Sequence, residues 1–90
     1  MYILKTTNRF QKDYKKILKA GDKNIDLLKN IMYKLIHNEK LEPKYRDHVL
    51  IGNYKDRREC HIKPDWLLIY KLAGDTIIFE RTGNHSELFK

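Results

Sequence analysis

The sequence of 90 residues contains one cysteine, two prolines and four glycines. A lone cysteine, Cys60, excludes an intramolecular disulfide framework. Nowhere do about 18 apolar residues run together, which excludes a transmembrane helix. Met1–Lys5 lacks the apolar stretch of a secretory signal, so the chain is expected to be cytoplasmic, with no membrane partner. The glycines are scattered singly and form no phosphate-cradling loop. CxxC and HxxxH spacings are both missing, so a zinc site is a poor fit and no metal or cofactor is called for.

What is present is enough for one folded domain spanning residues 1–90. The composition is 41% hydrophobic, with one Trp, six Tyr and three Phe. A chain this short supports one core under a single sheet-and-helix layer. Its net charge is +7, and all of the excess lies in the first half. Residues 1–46 hold 12 Lys and Arg against 5 Asp and Glu, whereas residues 47–90 hold 7 of each. Such an excess favours a polyanion or an acidic protein partner; a solvated lysine-rich helix face accounts for it equally well.

Tyr2–Thr6 alternates weakly, as a short strand does. Thr7 or Asn8 then caps a helix whose apolar residues Phe10, Tyr14, Ile17 and Leu18 share one side, and Gly21 ends it. A second helix runs from near Asn24 to about His37 with Ile25, Leu28, Met32, Leu35 and Ile36 as its apolar stripe. Glu42–Asp47 is a polar connection broken by Pro43. Strands follow at Arg57–Ile62, Trp66–Leu72 and Thr76–Arg81. Turns lie at Lys63–Asp65 and Ala73–Asp75, a loop at Thr82–Asn84, and Ser86–Phe89 is a short tail. Trp66–Leu72 is apolar nearly throughout, which marks a central strand. The expected fold is α+β: a two-helix hairpin on a small, mainly antiparallel four-stranded sheet.

A period of two places Glu59 and His61 on one face of their strand and Cys60 and Ile62 on the other, toward the core. Asp65, Arg81 and His85 gather at nearby strand ends. This mixture suits RNA phosphodiester cleavage, in which the 2′-hydroxyl attacks and no metal-activated water is needed. Histidine serves as acid or base near neutrality, and arginine offers donors to phosphate oxygens. The plainer readings stand beside it: any one histidine as a surface cap, Arg81 as a partner of Glu59 or Asp65, Trp66 as core, Cys60 as an inert buried thiol, and His37 at a helix end.

Three linked motifs sharpen this. Asp47-His48-Val49-Leu50-Ile51-Gly52-Asn53-Tyr54, Arg58–Tyr70 with its His61-Ile62-Lys63-Pro64-Asp65-Trp66 centre, and Phe79-Glu80-Arg81-Thr82-Gly83-Asn84-His85 through Phe89 resemble, in order and spacing, the YafQ-like toxins of the RelE/ParE superfamily. Those are toxin halves of bacterial type II toxin–antitoxin pairs that cut messenger RNA, typically at the ribosomal A site. The resemblance implies acid–base roles for His48, His61, Asp65 and His85, with His85 as acid and Asp65 and His61 on the 2′-hydroxyl side. It implies phosphate contact for Arg81, and pocket-shaping or base stacking for Trp66 and Phe89. Glu59 is placed with the substrate-binding residues on weaker grounds. An acidic antitoxin, the message and the ribosome are the implied partners. The alternative is a noncatalytic relative that binds gyrase or RNA.

Overall fold

The computed structural model describes residues 1–50 and 56–89. Strand β1 (Ile3–Thr6) leads into helices α1 (Asn8–Ala20) and α2 (Ile25–Ile36), then a 3-10 turn (Pro43–Tyr45). Strands β2 (His48–Val49), β3 (Arg58–Lys63), β4 (Trp66–Ala73) and β5 (Thr76–Gly83) follow, and a one-turn helix α3 (His85–Leu88) closes the described chain.

Both long helices begin and end as their sequences dictate. The Thr7 side chain accepts the Phe10 N–H and Asn24 accepts that of Leu27, each satisfying an amide that the first turn leaves open. Gly21 takes a left-handed conformation (φ 70°) and returns its N–H to Ile17 O, closing α1. Phe10 and Ile17 are buried on α1, while Leu18, expected on the same stripe, is exposed. On α2 the deepest residues are Leu28, Ile31 and Leu35. The stripe is therefore centred on Ile31, with Ile25, Met32 and Ile36 only partly buried at its flanks.

The α+β class is as expected and the sheet is mainly antiparallel, but among the described residues it has five strands rather than four, and one pairing is parallel. Its order is β1-β5-β4-β3-β2, with β1 parallel to β5 and the other pairs antiparallel. β4 is central, which explains its continuous apolar run. The fifth strand is the two-residue β2, too short for a period to announce it. Cys60, Ile62, Leu68, Tyr70, Ile77 and Phe79 face the helices. Burial pushes the Cys60 thiol far above its ordinary range, so it is an inert core group. The opposite face carries a smaller cluster of Leu67, Ile69 and Leu88. Among the described residues no helix is long and apolar enough to cross a membrane.

Two register shifts re-aim the sheet. Ile69 pairs with Arg81 while Tyr70 pairs with Phe79, leaving Glu80 as an extra residue in β5. Unbroken alternation from Ile77 and Phe79 would send Arg81 under the helices. The bulge turns it to the face of Ile69 and brings Thr82 inward, where it is buried. A second shift lies between His61 and Lys63. Beyond Phe79, α1 takes over from β1 along the β5 edge. Thr7 Oγ1 donates to Glu80 O (2.8 Å), and Thr82 N donates to Asp13 Oδ2 (3.1 Å).

Thr82 and Gly83, expected in a loop, complete β5, and the expected tail is α3. One helical turn has no stability of its own. Here it is fixed by a reciprocal cap in which Asn84 accepts the Glu87 N–H and Glu87 accepts that of Asn84. Gly83 lets this cap close, because a Cβ there would stand 3.0 Å from Glu87 Oε1. The hydrogen bond from the Asn84 amide, with Lys16 beside it, holds the Glu87 carboxyl below its usual range.

Candidate active site

The sheet face away from α1 and α2 holds the ionisable groups. Cross-strand pairing puts His48 beside Glu59, Glu59 beside Ile69 and Ile69 beside Arg81; His61, Leu67 and Gly83 form the next row. Three imidazoles stand in sequence there. The ring centres of His48 and His61 are 6.3 Å apart and those of His61 and His85 are 5.7 Å apart.

Each ring is held from behind by an acceptor. His48 Nδ1 lies 2.5 Å from Arg46 O. A carbonyl only accepts, so Nδ1 carries a proton and Nε2 is left as the second functional nitrogen. His61 Nε2 meets Glu59 Oε1 at 2.7 Å, with both side chains largely buried. His85 Nδ1 meets Asp65 Oδ1 at 2.6 Å, and the His85 backbone N–H donates to the same oxygen at 3.0 Å. Those two hydrogen bonds hold the Asp65 carboxyl below its usual range, so at neutral pH it is an acceptor facing His85.

The structure regroups the expected pairs. Asp65 belongs with His85 rather than with His61, because α3 starts against the turn between β3 and β4 and brings the His85 amide onto the carboxylate. Glu59 is the partner of His61, a stronger position than its sequence setting gave it. Trp66 does not offer a ring for stacking: it is buried in the helix-side core, and its Nε1 donates to Thr82 Oγ1 at 3.0 Å. Phe89 is 39% exposed, with its ring 6.3 Å from that of His85. Ile51–Tyr54 of the first motif lie outside the described residues.

Arg81 pairs with neither Glu59 nor Asp65. Its Nε donates to Asp13 Oδ2 at 2.8 Å and its Nη2 to Oδ1 at 3.3 Å, a side-on fork across the β5 edge. Asp13 is the residue that sequence reasoning missed. Its one signal is that it is the only acid in a helix otherwise rich in lysine. Tyr45 and Lys63 were also missed; the 3-10 turn and the β3 end place them beside His61 and His85.

Glu59, His61 and His85 offer ligand atoms that all lie within 4.8 Å of one another, so this trio is the part of the site able to hold a metal ion. Two imidazoles and a carboxylate suit zinc or copper.

A sheet face that α1 and α2 leave uncovered, carrying two imidazole–carboxylate pairs beside the short α3, defines a small α+β protein equipped for proton transfer. Comparison with known proteins agrees and narrows the class. The family model described as bacterial toxin of type II toxin-antitoxin system, YafQ, matches residues 2–90. The mRNA interferase toxin YafQ of Escherichia coli K12 is 42% identical over 84 residues, covering 92% of this chain and 90% of that protein. Among solved structures, YafQ in the E. coli DinJ–YafQ complex superposes with a TM-score of 0.91 at 40% identity over the full length of both chains. A copper-bound mutant toxin from Helicobacter pylori gives 0.91 at 42% identity, covering 99% of this chain and all of that one. This chain belongs to the YafQ family of type II toxins.

Proposed function

We propose that the chain is a metal-independent endoribonuclease that cuts messenger RNA in the bacterial cytoplasm, on the ribosome, and is neutralised by an acidic antitoxin. The observation that carries this reading is the pair of adjacent imidazoles, His61 and His85, 5.7 Å apart and each backed by its own carboxyl group. RNA supplies its own nucleophile. His61, backed by Glu59, takes the 2′-hydroxyl proton through Nδ1; His85, aligned by Asp65, delivers a proton from Nε2 to the leaving 5′-oxygen. The attacking oxygen forms its bond to phosphorus as the P–O5′ bond breaks, giving a 2′,3′-cyclic phosphate and a 5′-hydroxyl. Arg81, aimed to this face by the bulge and gripped by Asp13, balances charge on the phosphorane, with His48 on the far side of His61.

The relatives support the substrate: the curated E. coli protein is named an mRNA interferase, and its partner DinJ accompanies it in a crystal structure. The basic excess of residues 1–46 suits ribosomal RNA and an acidic partner alike. The test is cleavage of a defined message in EDTA, with and without programmed ribosomes, beside His85→Ala. Cutting that survives the chelator and falls by about a hundredfold or more in the variant is expected. RNA binding without cleavage under every condition would replace this reading with a noncatalytic binder.

A further inference from the structure

A groove adjoins the two central imidazoles on a side that excludes His48. Its lining includes His61, His85, Lys63, Lys44, Tyr45 and Leu27, and no acidic residue. It encloses 610 Å³, inside the range of roughly 300–1,000 Å³ in which small organic groups are held. Its chemistry is of two kinds. Tyr45 and Leu27 present aromatic and aliphatic surface, whereas Lys44 and Lys63 present positive charge. Tyr45 is firmly based: it packs on the core, Pro43 opens its 3-10 turn, and Arg46 closes that turn in a left-handed conformation (φ 48°). Lys44 Nζ lies 5.1 Å from the Tyr45 ring centre and 3.9 Å from Glu42 Oε2, with both side chains of that pair exposed. An anion beside the ring can therefore draw it away at little cost.

We infer that this groove seats the nucleotide on the 3′ side of the cut, with its base against Tyr45 and its following phosphate on Lys44 and Lys63. The inference rests on the proposed ribonuclease reading and deepens it. The leaving 5′-oxygen belongs to the 3′ nucleotide, and the group that protonates it, His85, lines the groove. A flat ring beside two lysines, with no acid in the lining, is the combination that holds single-stranded nucleic acid without demanding one base. The seat thus supplies purchase on the departing strand while the imidazoles act on the phosphate.

The experiment uses dinucleotides with a single phosphodiester, a 2′-deoxy first sugar that cannot attack, and a 3′-terminal phosphate. They are titrated with protein to millimolar concentration. Fluorescent 2-aminopurine is placed as the 3′ base in one probe and the 5′ base in another. The 3′ label should be quenched by wild-type protein. Tyr45→Leu, which keeps an apolar group on the core, should relieve that quench and weaken binding about tenfold. Lys44→Ala and Lys63→Ala should each reduce the slope of log affinity on log salt by about 0.7 and cancel the benefit of the terminal phosphate. Quenching of the 5′ label alone, or unchanged affinity and quench in all three variants, overturns the seat. Wild-type protein that neither binds these probes nor cuts RNA brings down the ribonuclease reading instead.

Discussion

Asp13 is the residue whose loss should reveal most about how the site is held. Its carboxylate accepts two hydrogen bonds from Arg81 and one from the Thr82 amide, and the Asp13 and Arg81 side chains are only 16% and 14% exposed. Asp13→Ala leaves the guanidinium in a largely dry setting without its α1 counter-charge and strips an acceptor from β5. Breaking such a pair from one side costs about 3 kcal/mol or more. A chain of this length has on the order of 5–13 kcal/mol of stability in total, so the loss is a quarter or more of what holds the fold. At about 4–8 °C per kcal/mol for a domain of this size, the melting temperature should fall by more than about 10 °C. Asp13→Ala combined with Arg81→Met removes both charges of this pair and should recover part of the loss, with a coupling of about 1.5 kcal/mol or more by thermal and urea unfolding. Cleavage measured well below the melting point should follow the same cycle. Asp13→Ala should slow the wild type about tenfold and add nothing once Arg81 is gone. Effects that simply add, to within about 0.5 kcal/mol, would refute the claim that Asp13 acts through Arg81.

Four further outcomes are expected. Single-turnover cleavage should be bell-shaped around neutral pH, since one imidazole must be basic and another protonated; a flat profile from about pH 5 to 9 would count against histidine chemistry. Asp65 and Glu87 both have lowered folded pKa values. Their anchoring of α3 is therefore complete above the ordinary carboxylate range and is lost only as pH falls through the lower folded values. Amide exchange in α3 should stay slow down to about pH 5, and loosening well above that would show that other groups secure it. Because the Phe89 ring stands beside His85, a tag fused at the C-terminus should reduce the cleavage rate, and equal rates for tagged and untagged protein would remove the tail from the pocket. Added Cu²⁺ or Zn²⁺ should inhibit by drawing Glu59, His61 and His85 onto one ion, with EDTA restoring activity; stimulation by the metal would favour a metal nuclease.

Much of this was legible in the residues, and the reasons differ from element to element. The long helices declare themselves because several turns repeat one spacing and their caps, Thr7, Asn24 and Gly21, are the residue types such ends require. β4 is legible because a strand covered on both faces needs no polar positions. The alternation that sends Cys60 toward the helices and Glu59 and His61 to the other face held, because six residues of β3 keep a regular period. The pairing of β1 with β5 was hidden because the partners lie some seventy positions apart and Ile3 and Leu4 are half exposed. A single turn such as α3 has no period to detect, although the Asn84-x-x-Glu87 cap was there to be read. Asp13 could not be matched to Arg81 from sequence, since that contact exists only because α1 runs along the β5 edge.

The extra residue in β5 also says something about how this chain can change in length. Glu80 is tied by its side chain to Arg57 and by its carbonyl to Thr7, and it has no cross-strand partner of its own. Losing that one codon would bring Arg81 directly after Phe79, still opposite Ile69 on the outer face, with Thr82 still turned inward. The ladder would close without its extra residue, giving up the local bend and the ties to Arg57 and Thr7 but not the facing of the residues beyond. A bulge of this kind is a position at which a strand can shorten by one residue and keep its two faces.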